Sequence, residues 1–107
     1  MNIKRNTLTE RENNVLSLIS FGKNNARTVK DIIAIIGGTN EEIRSIVRRL
    51  IEKHGILIGS SNNIGKSGYY CPETEEEKEE AINKLENRAS EILKRANIMR
   101  SLPLTAN

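Results

Sequence analysis

The sequence predicts a mainly α-helical fold with one small β-hairpin, an α+β class, closed by a long C-terminal helix. Three observations predict it. Four Thr-led capping patterns each precede a stretch of helical apolar spacing. A polar, glycine-rich segment lies between two short β-prone runs. Apolar residues at heptad spacing run through the last third of the chain.

Residues 1–8 are polar and read as a loose N-terminus. Thr9-Glu10-Arg11-Glu12 has the capping-box spacing, in which a side-chain oxygen and an acid satisfy orphan backbone N–H groups. The helix it opens carries Val15, Leu16, Leu18 and Ile19 and is expected to end near Phe21-Gly22, with Phe21 in the core. After a loop at 22–27, Ala26 to Thr28 can add a short strand.

Thr28 to Lys53 organises the rest. Thr28 with Asp31, and Thr39 with Glu42, cap two helices across a Gly37-Gly38 turn, where glycine permits positive φ. Ile32, Ile33, Ile35 and Ile36 line the first helix. Ile43, Ile46, Val47, Leu50 and Ile51 form a stripe on the second, and Asn40, Arg44, Ser45, Arg48, Arg49 and Lys53 occupy its opposite face. Two short helices, a tight turn and a basic outer face make a helix-turn-helix.

Ile56-Leu57-Ile58 and Tyr69-Tyr70-Cys71 are strand candidates around the turn-forming tip GSSNNIGKSG, and Pro72 stops the second. A hairpin after three helices completes a winged helix-turn-helix over residues 9–72. Thr74 with Glu77 then caps a helix over 73–102 that begins acidic and ends basic, as the helix dipole favours. Its apolar residues Ile82, Leu85, Ala89, Ile92, Ala96 and Met99 follow a/d spacing. At ~1.5 Å per residue this helix is ~40 Å long. The stripe either folds back on the domain or forms a homodimer or partner interface. Pro103 ends it, leaving a tail at 103–107.

On a DNA-binding reading, Asn40, Arg44, Ser45 and Arg48 face base edges, since Arg reads guanine and Asn reads adenine. Arg49 and Lys53 would contact phosphate. Asn62, Asn63 and Lys66 on the hairpin tip would reach the backbone or the minor groove. Glu41 opposes this reading, because in the first turn of the same helix it would repel phosphate or need a cytosine amino partner. The charge distribution supports it. Residues 1–72 hold eleven Lys/Arg against six acids, a net +5, whereas residues 73–107 hold six against eight, a net −2.

Other chemistry is thinly represented. Cys71 is the single cysteine, so an intramolecular disulfide and a Cys-rich zinc site are excluded. His54 is the single histidine, expected at the surface or answering the helix dipole. Gly59, Gly65, Lys66 and Ser67 approach a phosphate-binding loop, but the spacing from Gly59 is one residue too long. No acid–base or metal set clusters, so neither an enzyme nor a cofactor is expected. With no signal-like N-terminus and no ~20-residue apolar run, no membrane association and a cytoplasmic location are expected.

The chain resembles the small winged-helix proteins encoded by phages and prophages of Gram-positive bacteria. The stretches carrying the resemblance are LTERENNVLSLI, TVKDIIAIIGGTNEEIRSIVRRLIEKHGILIGSS, KSGYYCPETEEEKEEAINKLENRA and ILKRANIMRSL, covering roughly residues 7–102. The GYY-x-P step before an acidic helix start is the most distinctive. The resemblance implies a winged-helix fold, a bacterial host cell and a role in regulation or DNA replication. Two functions stay open. One is a double-stranded DNA binder; the other is an effector that binds and inhibits a host replication protein, such as a helicase loader.

Overall fold

The computed structural model describes residues 7–61 and 68–106. The order is α1 (Glu10–Ser17), a 3-10 turn (Lys23–Asn25), α2 (Val29–Ile36), α3 (Asn40–Glu52), β1 (Gly59–Ser61), β2 (Gly68–Tyr70) and α4 (Glu75–Arg100). Helices dominate, and β1 and β2 form a two-stranded antiparallel hairpin, so the class is the α+β expected.

Every α-helix starts on a threonine. Thr9, Thr28, Thr39 and Thr74 accept the N–H of Glu12, Asp31, Glu42 and Glu77 respectively. Such a cap is worth about 1 kcal/mol. At α1 the box closes both ways, because the Thr9 N–H also donates to Glu12 Oε1 at 2.9 Å. Glu42 and Glu77 use their carboxylates elsewhere. Glu42 turns to Arg11, and Glu77 accepts the backbone N–H groups of Glu73 and Lys23.

Residue spacing explains the core. Ile43, Ile46, Val47 and Leu50 recur on one side of α3, which packs against both α1 and α2. Val15, Ile19, Ile32, Ile56, Ile58 and Cys71 close around them. Fully burying one such aliphatic side chain contributes about 1.5–3 kcal/mol. Ile35 and Ile51, expected in the stripes, lie outside them and are exposed. Phe21 is a clearer correction, 62% exposed rather than in the core. Because α1 ends at Ser17, the chain reaches Phe21 already extended. There its backbone bridges Cys71, and the ring faces outward. His54 is also corrected: it is 3% exposed, not at the surface. Beyond α3, the N–H of Ile56 reaches back to the Leu50 carbonyl at 3.0 Å, and this fold-back encloses the imidazole.

β2 pairs on both edges. Gly68 and Tyr70 face Ser61 and Gly59 of β1. Tyr69 and Cys71 point the other way, as alternate strand residues must. Tyr69 exchanges two 2.9 Å hydrogen bonds with Arg27, reducing the expected 26–28 strand to a single bridge. Cys71 donates to the Ser20 carbonyl at 2.8 Å and accepts from the Gly22 N–H at 2.9 Å. The strand expected at Ile56–Ile58 is displaced to Gly59–Ser61. The next residue of the second strand that would face β1 is Pro72, which has no N–H to extend the ladder.

α4 is seated by its first turns. Ala81 is buried over β1, Lys23 Nζ bonds Glu80 Oε1 at 2.7 Å, and Lys84 Nζ donates to the Ser60 carbonyl at 2.9 Å. A helix of 26 residues runs ~39 Å. The molecule measures 52 × 32 × 31 Å, so α4 lies along its long axis and its distal half projects beyond the body.

Gly68 allows the close pairing of β2 with Arg27. Its φ is 146°, and a Cβ there would overlap the Arg27 carbonyl and the Thr28 nitrogen, which are backbone atoms that cannot swing away. Gly68→Ala is therefore expected to lower the unfolding free energy by at least about 1–3 kcal/mol, measured by urea denaturation. An unchanged midpoint would contradict this packing.

Candidate nucleic-acid interface

The apolar side of α3 is buried, so its polar side faces solvent. Asn40, Glu41, Arg44, Arg48 and Lys53 are exposed. Arg44 and Arg48 stand one turn apart, and no hydrogen bond or ion pair among the described residues engages them. Their charges are available to a ligand.

Arg49 and Ser45 are placed differently. Arg49 Nε donates to Glu12 Oε2 at 2.9 Å, and its Nη1 donates to Ser45 Oγ at 3.2 Å. Both side chains, expected to meet DNA, are joined to one another and to α1. Glu12 is only 3% exposed. Its carboxylate also accepts the Thr9 N–H, and His54 Nε2 stands 3.3 Å from Oε1, at ion-pair distance but outside hydrogen-bond geometry. The Arg49 hydrogen bond, followed by the Thr9 N–H, holds the Glu12 carboxyl down at about 2 against an ordinary 4.5.

The preceding residue makes a matching contact of opposite sign. Arg11 binds both carboxylate oxygens of Glu42 (2.9 and 3.2 Å), and donates to the carbonyls of Ile36 (2.8 Å) and Gly37 (2.7 Å). Those are orphan carbonyls at the end of α2, which a cation suits. Gly38, with φ 107°, leaves the space: a Cβ there would overlap both the guanidinium and the Glu42 carboxylate. The Arg11 hydrogen bond lowers the Glu42 pKa, and the same bond raises that of Arg11. Glu42 therefore presents no free negative charge to a ligand, whereas Glu41 remains exposed.

The basic surface extends beyond α3. Tyr69 is half-buried on β2; burial raises its phenol pKa, and the nearby charges of Arg44, Arg88 and Arg48 oppose that rise. Arg88 of α4 thus shares the neighbourhood of the two α3 arginines. Arg27 pairs with Tyr69 across the bridge, so both side chains lie on one side of the sheet. Its Nε is buried with no hydrogen-bond partner. Neither Arg27 nor Arg88 stood out in the sequence, because nothing local links them to α3.

Asn62, Asn63 and Lys66, expected at the hairpin tip, lie outside the described residues. On α4, Ile82 and Ala96 are half-buried, whereas Leu85, Ala89, Ile92 and Met99 are exposed. Among the described residues no group of three His, Cys, Asp or Glu side chains is arranged to hold a metal ion, and no helix is long and apolar enough to cross a membrane. In comparisons with known proteins, no family model, curated protein or solved structure matches the chain.

Glu12 sets a pH dependence with a definite sign. Its folded pKa is depressed, so the stabilisation is present above the ordinary 4.5 and is lost as pH falls through the window toward 2. At about 1.4 kcal/mol per unit, the ceiling is about 3 kcal/mol. Half of Arg49 is open to solvent, so about 2 kcal/mol is the expected loss. Urea midpoints from pH 6 to 2.5 for the parent and Glu12→Gln measure it as a difference in slope. Parallel curves would remove Glu12 from the account.

Proposed function

We propose that this chain is a winged helix-turn-helix protein that binds double-stranded DNA, with α3 in the major groove and the β1–β2 hairpin beside it. The observation that carries the reading is the unengaged pair Arg44 and Arg48 on α3, flanked by Arg88 and Arg27 around Tyr69. The element order supports it, since a bridged strand position at Arg27, α2, α3 and a hairpin follow α1. Asn40 is exposed at the start of α3, where a recognition helix meets base edges. Lys53, at its far end, suits a phosphate. With the resemblance to phage-encoded winged-helix proteins, the role is regulatory or replicative.

A protein target, such as a host replication protein, is the second reading. The observation favouring it is a groove of about 450 Å³ beside α1, lined by Leu16, Ile19, Phe21, Ile56, Leu57 and Pro72. The exposed Phe21 ring and the half-exposed Leu57 offer apolar surface there.

Fluorescence anisotropy on random-sequence duplex DNA across a salt series separates the two. The DNA reading expects binding at low salt with a dissociation constant of roughly 10⁻⁴–10⁻⁶ M, weakening steeply with salt. Arg44→Ala, Arg48→Ala and Arg88→Ala should each weaken it and reduce the salt slope by about 1. Absence of binding at tens of micromolar protein in low salt overturns it and leaves the groove as the surface to pursue.

A further inference from the structure

Tyr69 sits where three elements meet. It lies opposite Ser60 of β1, and its half-buried ring packs against the core that α3 helps to form. α4 is anchored to the same strand pair, since Lys84 Nζ donates to the Ser60 carbonyl at 2.9 Å. Arg88 lies one turn beyond that anchor on the same face of α4 and is exposed. Arg44 and Arg48 are likewise one turn apart, about 6 Å along the solvent side of α3. The charges of Arg44, Arg88 and Arg48 all act on the Tyr69 phenol, so three guanidiniums gather about one hydroxyl. No acid neutralises them. Glu41 and Glu52 share α3 with two of them and Glu91 shares α4 with the third, yet no ion pair among the described residues engages any of the three. The hydrogen bonds of Tyr69 to Arg27 are backbone ones, and its hydroxyl makes none among the described residues.

We propose that Arg44, Arg48 and Arg88, with the Tyr69 hydroxyl as a further donor, clamp one phosphate group at the junction of α3, β2 and α4. Three like charges held on packed elements repel one another, and an anion that joins them relieves the repulsion. Phosphate suits them better than a carboxylate. Its tetrahedral oxygens accept from several directions at once, whereas a carboxylate offers two oxygens in one plane. Arg27, although beside Tyr69 on the sheet, is not among the charges acting on the phenol and stands outside the clamp. Two sources carry this chemistry, the backbone of DNA and a free phosphoanion. With the first, the clamp rests on the DNA reading and adds α4 to it; with the second, it stands without that reading.

The arginine Nε–Hε resonances of the ¹⁵N-labelled full chain report on the clamp when inorganic phosphate replaces chloride at constant ionic strength. Those of Arg44, Arg48 and Arg88 should shift together and saturate. Arg88→Gln, at an exposed position, should weaken phosphate binding about tenfold, and Tyr69→Phe, which keeps the packed ring, about fivefold. Lys30→Ala removes an exposed charge from α2, away from the clamp, and should leave the titration unchanged. Random-sequence duplex DNA is the second arm. Duplex that binds and is displaced by phosphate from the parent, but less readily from Arg88→Gln, supports the clamp with the DNA backbone as its source. Saturable phosphate binding without any duplex binding supports the clamp with a free phosphoanion and sinks the DNA reading alone. Duplex binding without a saturable phosphate shift, or equal losses in Lys30→Ala and Arg88→Gln, overturns the clamp and leaves the DNA reading standing.

Discussion

Two adjacent residues of α1, opposite in charge, fix the position of α3. Arg11 reaches the first turn of α3 at Glu42 and closes the end of α2 on the way. Glu12 reaches two turns further along, to Arg49, with the His54 ring beyond it. The apolar stripe of α3 drives burial but is non-directional, so it fixes the azimuth of the helix poorly. The two charged contacts, seven residues apart on α3, supply the direction. They differ in kind. The Arg11–Glu42 pair is open to solvent and contributes mainly through the carbonyls it caps. Glu12 is buried, and a buried carboxylate is tolerated only when its oxygens are satisfied.

This arrangement divides the charges of α3 into two groups. Glu42 and Arg49 are held by α1, with Ser45 joined to Arg49. Arg44 and Arg48 are left on the solvent side. Counting charges along the helix therefore overstates both its acidity and its basicity as a ligand would meet it. What remains is a small cationic surface with two exposed acids on α3, Glu41 and Glu52, widened by Arg88 and Arg27 through the sheet. The sheet makes that widening possible, because β2 pairs with Arg27 on one edge and on the other with β1, against which α4 packs.

Much of the fold was legible in the sequence wherever one residue answers another three or four positions away. Thr9, Thr28, Thr39 and Thr74 marked the helix starts, and Ile43 to Leu50 marked the buried side of α3. The α4 boundaries followed from the Thr74 cap and Pro103. The failures share a cause, which is that the deciding partner is distant in sequence. Phe21 reads as core by its chemistry, but its backbone is claimed by Cys71. The strand expected at Ile56–Ile58 depends on what lies opposite, and Pro72 lies opposite. Glu12 looked like a cap residue alone, and its tie to Arg49 spans 37 positions. His54 looked like a residue at the surface or answering the helix dipole, and the fold-back of the chain from Ile56 to Leu50 encloses it beside Glu12. For the candidate site, α3 was legible as the helix that carries it, whereas its division into engaged and free side chains was not.

The division of charges on α3 is the central claim, and one set of stability measurements tests it directly. Arg44→Ala, Arg48→Ala and Arg49→Ala remove the same chemical group from three positions on one helix, and urea unfolding at pH 7 compares them. The account predicts that Arg49→Ala lowers stability by about 1–3 kcal/mol, since it leaves a buried carboxylate short of its main partner. Arg44→Ala and Arg48→Ala should stay within about 0.5 kcal/mol of the parent. Equal effects at all three positions would contradict it, because Arg49 would then be no more part of the fold than the arginines beside it.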